Sequence, residues 1–150
     1  MWTDAVLAYL HFTAIFALFS FLTAQAVLIR RELDLGTIRI LGRVDIWAAG
    51  AAFAALATGM LRMGLGAKGA DFYLSSWPFY VKIGLFIVVG LMTIKPTLTY
   101  IRWRRESEHD PAWKVPAEEQ RRIRKRLMAE VHLAAFIPLF AVIMARGLGR

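Results

Sequence analysis

The 150-residue chain is long enough for one domain, but 58% of it is apolar, and those residues gather in four blocks, which excludes an ordinary soluble globule. The basic residues behind its net charge of +8 lie mostly in two of the segments between blocks, a placement that speaks for membrane orientation rather than for nucleic acid as the partner. The absence of cysteine excludes disulfides, thiolate metal sites, iron–sulfur clusters and covalent c-type haem attachment.

The blocks run roughly over 5–29, 46–63, 77–101 and 127–148. Each is close to the ~20 residues that span a bilayer as a helix, and lipid tolerates no unpaired backbone, so helices are expected. The predicted fold is all-α: a four-helix transmembrane bundle forming a single integral membrane domain over 1–150. Loop one carries Arg30, Arg31, Arg39 and Arg43. Loop three, 102–126, carries Arg102, Arg104, Arg105, Lys114, Arg121, Arg122, Arg124, Lys125 and Arg126, whereas loop two has Lys68 alone. The positive-inside rule then places loops one and three in the cytoplasm and both termini outside. Anionic lipid headgroups reinforce that orientation.

Helix one holds a thread of polar groups, Asp4, His11 and Gln25, separated by seven and fourteen residues. That spacing keeps each neighbouring pair within about 40° on a helix. A polar group inside lipid needs a partner helix, a cavity or a cofactor. Ala24-Gln25-Ala26 resembles a signal-peptide cleavage site, but the block starts with Asp4 and is followed by Arg30 and Arg31. That is the reverse of a secretory signal, so the helix is expected to be retained.

A short link, 32–44, leads to Asp45, which is expected to open helix two, where a carboxylate is favoured by the helix dipole. A buried pairing with Lys95 or Arg43 is the alternative. Helix two is rich in small residues, among them Ala48, Gly50, Ala51, Ala55 and Gly59, which permit close helix approach. It is expected at the centre of the bundle or at a homodimer seam. It ends at Arg62, read either as snorkelling to the interface or as binding an anionic ligand. Loop two, 64–76, is glycine-rich, and its aromatics Phe72 and Tyr73 join Trp77 and Tyr80 in an interfacial belt. Gly64-x-Gly66 is no nucleotide fingerprint, because no strand precedes it.

Helix three starts near Pro78, carries Lys82 about one turn in, and is expected to kink at Pro96. Loop three is broken by Pro111 and Pro116, with 117–126 expected to begin a helix that runs into the fourth span. His109, between Glu108 and Asp110, is expected to be solvated and without a role. Helix four brings Glu130 and His132 to the inner third, projecting about 200° apart, and Pro138 marks a second expected kink.

By depth, the ionisable groups form two sets. The inner one, Gln25, Asp45, Lys95, Glu130 and His132, has mixed charge and is expected to neutralise itself. The outer one, His11, Arg62 and Lys82, is an imidazole with two cations, which favours an anionic ligand. Haem b fits: His11 as axial ligand to iron, Arg62 and Lys82 holding the propionates, and Lys82 as a possible second ligand if desolvation neutralised it. His132 is a weaker ligand candidate, separated from His11 by roughly a dozen ångströms in depth. Copper is the alternative cofactor, because Met60 and Met63 share one helix face and thioethers with an imidazole select Cu(I). A ligand-free structural protein is the third reading.

Leu10-His11-Phe12, 57–62 (Ala-Thr-Gly-Met-Leu-Arg), 79–85 (Phe-Tyr-Val-Lys-Ile-Gly-Leu), Lys95-Pro96-Thr97 and Met144-Ala145-Arg146-Gly147 carry a resemblance over nearly the whole chain. It resembles a group of small four-span bacterial membrane proteins of unassigned function. These are distantly similar to HemJ-type protoporphyrinogen IX oxidases and CopD-like copper-resistance proteins. The resemblance implies a multi-pass protein of the bacterial inner membrane, with periplasmic termini. HemJ-type enzymes bind haem b through a helix-one histidine and a helix-three lysine, matched here by His11 and Lys82. They also carry a histidine late in helix three, where this chain reads Met92-Thr93-Ile94-Lys95-Pro96. If the chain is an enzyme, the resemblance implies an oxidoreductase.

Overall fold

A computed structural model describes residues 2–66 and 68–148. The described residues form five helices and no strand: α1 (Trp2–Leu28), α2 (Leu35–Leu65), α3 (Gly69–Leu74), α4 (Trp77–His109) and α5 (Ala117–Ala145). Four of them are long and apolar enough to cross a membrane, and the all-α bundle is as expected. Side chains that water would not tolerate cover the outside: Phe16 is 72% and Phe53 73% exposed. Such a surface belongs in hydrocarbon.

The four long helices form a ring in which α1 packs on α2 and α5, and α4 packs on α2 and α5. The closest pair is α1 with α2, and the small residues explain it. Ala48, Ala51 and Ala55 are buried, so that face of α2 serves the interior of the bundle, while Ala49 and Gly50 remain exposed.

The helices outrun the apolar blocks. At 31, 33 and 29 residues, α2, α4 and α5 are about 43–50 Å long against about 30 Å of hydrocarbon. The excess lies at the end that carries the 29–34 and 110–116 connections, called here the basic end. There Ile29, Ile38, Leu41, Tyr100, Trp103, Ile123 and Leu127 form a core of their own. The Trp103 indole N–H donates to Glu119 at 2.9 Å, and Gln120 donates to the carbonyls of Ile29 and Arg31 at 2.8 and 2.9 Å. The last bonds satisfy carbonyls that the end of α1 leaves open.

Several boundaries differ from expectation. Asp34, not Asp45, begins the second helix: its carboxylate accepts from the Thr37 backbone N–H at 2.7 Å as an N-cap. That bond, with one from the Thr37 side chain, holds the Asp34 carboxyl below its usual range. Residues 102–109 are helical rather than loop, while α5 starts at Ala117 and runs into the fourth span as expected. Loop two folds into the short α3. Pro96 and Pro138 both sit inside continuous helices. His109 is exposed at the end of α4.

Candidate functional site

A second core, Leu18, Leu22, Ala48, Ala51, Val89 and Ala134, fills the middle of the bundle. Beyond it, towards the end opposite the basic one, polar groups replace apolar packing. Here α1 supplies His11, α2 supplies Thr58 and Arg62, and α4 supplies Lys82.

His11 is half-buried, and its Nδ1 lies 3.1 Å from Thr58 Oγ1. The Thr58 hydroxyl has one proton, and its 2.6 Å contact with the Ala54 carbonyl takes it. Thr58 Oγ1 therefore acts as acceptor, and His11 Nδ1–H is the donor. This tautomer leaves the lone pair on Nε2, the arrangement in which imidazoles ligate metals. Gly59 is fitted to the ring: a Cβ there would stand 3.1 Å from His11 Cε1.

Both cations stand close enough to act electrostatically on His11. The Arg62 guanidinium lies 5.6 Å from the centre of the Phe12 ring, and Lys82 Nζ lies 5.3 Å from that of Phe79. Aromatic faces thus position both cations. Arg62 Nε is buried and makes no hydrogen bond. Asp4 reaches the same end, its carboxylate against Gly66, so this end is less free of acid than the sequence suggests.

The structure brings His11, Arg62 and Lys82 together and leaves His132 apart. His132 is exposed on α5, with Nδ1 2.6 Å from its own helix's Met128 carbonyl, and we assign it no ligand role. Met60 is 60% exposed, pointing away from the bundle, while Met63 is half-buried. Among the described residues no three His, Cys, Asp or Glu side chains gather into a metal site. Sequence reasoning gave Thr58 no part in orienting His11, although Thr58 and Arg62 are four residues apart and therefore share a helix face.

The inner set departs further from expectation. Lys95 and His132 both face outward, so the set cannot neutralise itself through them. What remains inside is Gln25, Asp45, Tyr100 and Glu130, one from each long helix. Asp45 accepts from the Thr97 hydroxyl at 2.6 Å, rather than pairing with Lys95 or Arg43.

A family model described as "Predicted membrane protein (DUF2214)" matches residues 3–149. The chain belongs to this family. No curated protein and no solved structure matches it. As a DUF2214 member it is an integral membrane protein whose family description carries no activity. Its chemistry must therefore be argued from the two polar sets.

Proposed function

We propose that the protein is a b-type haem protein of the bacterial inner membrane, with His11 as axial ligand to the iron. The observation that carries this reading is the Thr58-fixed tautomer of His11, which leaves Nε2 as a free base beside two cations. The residues fit the group: Arg62 and Lys82 match two carboxylates, and the half-buried Phe79 offers an apolar wall. When bound, haem would supply one-electron chemistry. The chain's part is to hold the imidazole by Nδ1, to aim positive charge at the propionates and to exclude water with its helices. Electron transfer or porphyrin oxidation are the roles in keeping with the likeness to HemJ-type enzymes. If it gave up its proton, Lys82 would instead be the candidate second ligand, leaving the propionates to Arg62. A homodimer would be built on the exposed face of α2 around Ala49 and Gly50.

Copper handling is less well supported, because Met60 points away from His11 and the set then lacks a second soft ligand. The test is an absorption spectrum of the detergent-purified protein after expression with ample haem, with a pyridine haemochrome assay. A Soret band that disappears in His11→Ala supports the proposal. No Soret band, or full haem retention in His11→Ala, overturns it, and stoichiometric copper without iron would favour the alternative.

A further inference from the structure

The second polar set lies on the other side of the mid-bundle core and takes no part in the haem proposal. Glu130 is 0% exposed, and neither carboxylate oxygen has a hydrogen-bond partner. Gln25 is 1% exposed; its carbonyl accepts from the Tyr100 hydroxyl at 3.3 Å, while its Nε2 makes no bond. Asp45, 7% exposed, completes the group from α2. The charged and titratable groups acting on Glu130 from the packed elements are Asp45 on α2, Tyr100 on α4 and Arg126, one turn back on α5. Just past the end of α1, the Arg30 guanidinium contacts Met128 Sδ in an exposed position.

An ionised carboxylate without a single donor, inside a bundle that lies in lipid, carries a desolvation cost of several kcal/mol. Two such carboxylates in one cluster repel each other as well, and like pairs elsewhere resolve this by retaining a proton. Asp45 has a donor in Thr97, and Glu130 has none, so Glu130 is the group that stays neutral.

The surroundings also provide an approach. Asp45 and Thr97 line a cavity of about 80 Å³ between α1, α2 and α4, bounded otherwise by side chains such as Leu18, Ala48 and Phe86. That volume has room for water, which needs about 10–15 Å³ per molecule on this measure, and Asp45, Thr93 and Thr97 are the polar side chains that could hold it. Asp45 therefore meets the cavity, while Glu130, fully buried and close enough to Asp45 to act on it electrostatically, does not line it.

The geometry points to an intramembrane proton-binding site, in which Glu130 holds one exchangeable proton and Asp45, at the cavity, passes protons to and from it. Binding adds a proton to a Glu130 oxygen, and release returns it to water through Asp45, with no change in oxidation state. A metal ion is the poorer occupant, since among the described residues no third acidic or imidazole ligand joins the pair.

Infrared difference spectroscopy of the membrane-reconstituted protein in potassium buffer at neutral pH tests this. Apart from Asp45, which has a donor in Thr97, the chain's other acids are at least partly exposed, so the expected result is one protonated-carboxyl C=O band. It should move down in heavy water, disappear in Glu130→Gln and shift in Asp45→Asn. No such band in the wild type overturns the proposal, as does a band that survives Glu130→Gln. A band present in potassium but lost in sodium makes this a sodium site and also overturns it. Should Glu130→Gln fail to give a monodisperse protein, an unshifted band in Asp45→Asn is the overturning result. His11→Ala separates the two proposals. The band should persist there, and its loss would assign the proton to haem propionates.

Discussion

At the scale of single residues, His11 was readable as an unusual group because an imidazole in an apolar block stands out. Its orientation was not readable. The bond that fixes it comes from Thr58, on another helix, and sequence periodicity does not say which helices face each other. Thr58→Val keeps the shape and removes the acceptor for Nδ1–H. If His11 ligates haem, affinity in a haem titration should fall by about 10–100-fold, as for other partners that orient a metal-bound histidine. Unchanged affinity would mean that Thr58 has no part in holding the ring. The inner set failed as a sequence reading for a related reason. Depth along the chain placed Lys95 and His132 beside Glu130, but the direction around each helix turned both outward.

At the scale of elements, the four apolar blocks marked the spans, while the helix lengths were under-read. Hydropathy stops where lipid stops, whereas a helix continues for as long as its own caps and partners allow. The Asp34 cap starts α2 three residues before Thr37, eleven ahead of the expected Asp45. The polar 102–109 stretch stays helical because one side of it is buried: Trp103 is 0% exposed and Ser107 is buried too. Trp103 ties α4 to α5 by volume and by its N–H bond to Glu119. Trp103→Phe should therefore lower stability by about 1.5 kcal/mol, the worth of a hydrogen bond to a charged group. Trp103→Ala, which also leaves a cavity, should cost about 3–5 kcal/mol. Denaturation in detergent, followed by circular dichroism, measures both. A Trp103→Phe variant as stable as the wild type would show that the hydrogen bond contributes nothing beyond packing.

For the whole molecule, the two polar sets sit at different depths, separated by the mid-bundle core, and their meaning depends on which end meets the cytoplasm. The basic end carries the ion pairs Arg39–Glu108, Arg104–Glu108, Arg102–Glu119 and Arg122–Glu118, all with exposed or half-exposed side chains. These acids neutralise only part of the charge there, and Arg30, Arg31, Arg43, Arg105, Arg121 and Arg124 add to it. Positive charge near the ends of spans is retained on the cytoplasmic side, and acids do little to cancel that bias. The basic end should therefore face the cytoplasm, which puts His11, Arg62 and Lys82 towards the opposite surface and opens the Asp45 cavity deeper in. The cysteine-free sequence permits a clean test, since any single introduced thiol is the only one. Ser75→Cys, exposed between α3 and α4, should react with a membrane-impermeant maleimide in intact cells. Ala112→Cys, exposed between α4 and α5, should react only after the membrane is opened. The reverse pattern would place the His11 end in the cytoplasm, where haem would be delivered directly from the side of synthesis and the proton site would face outward.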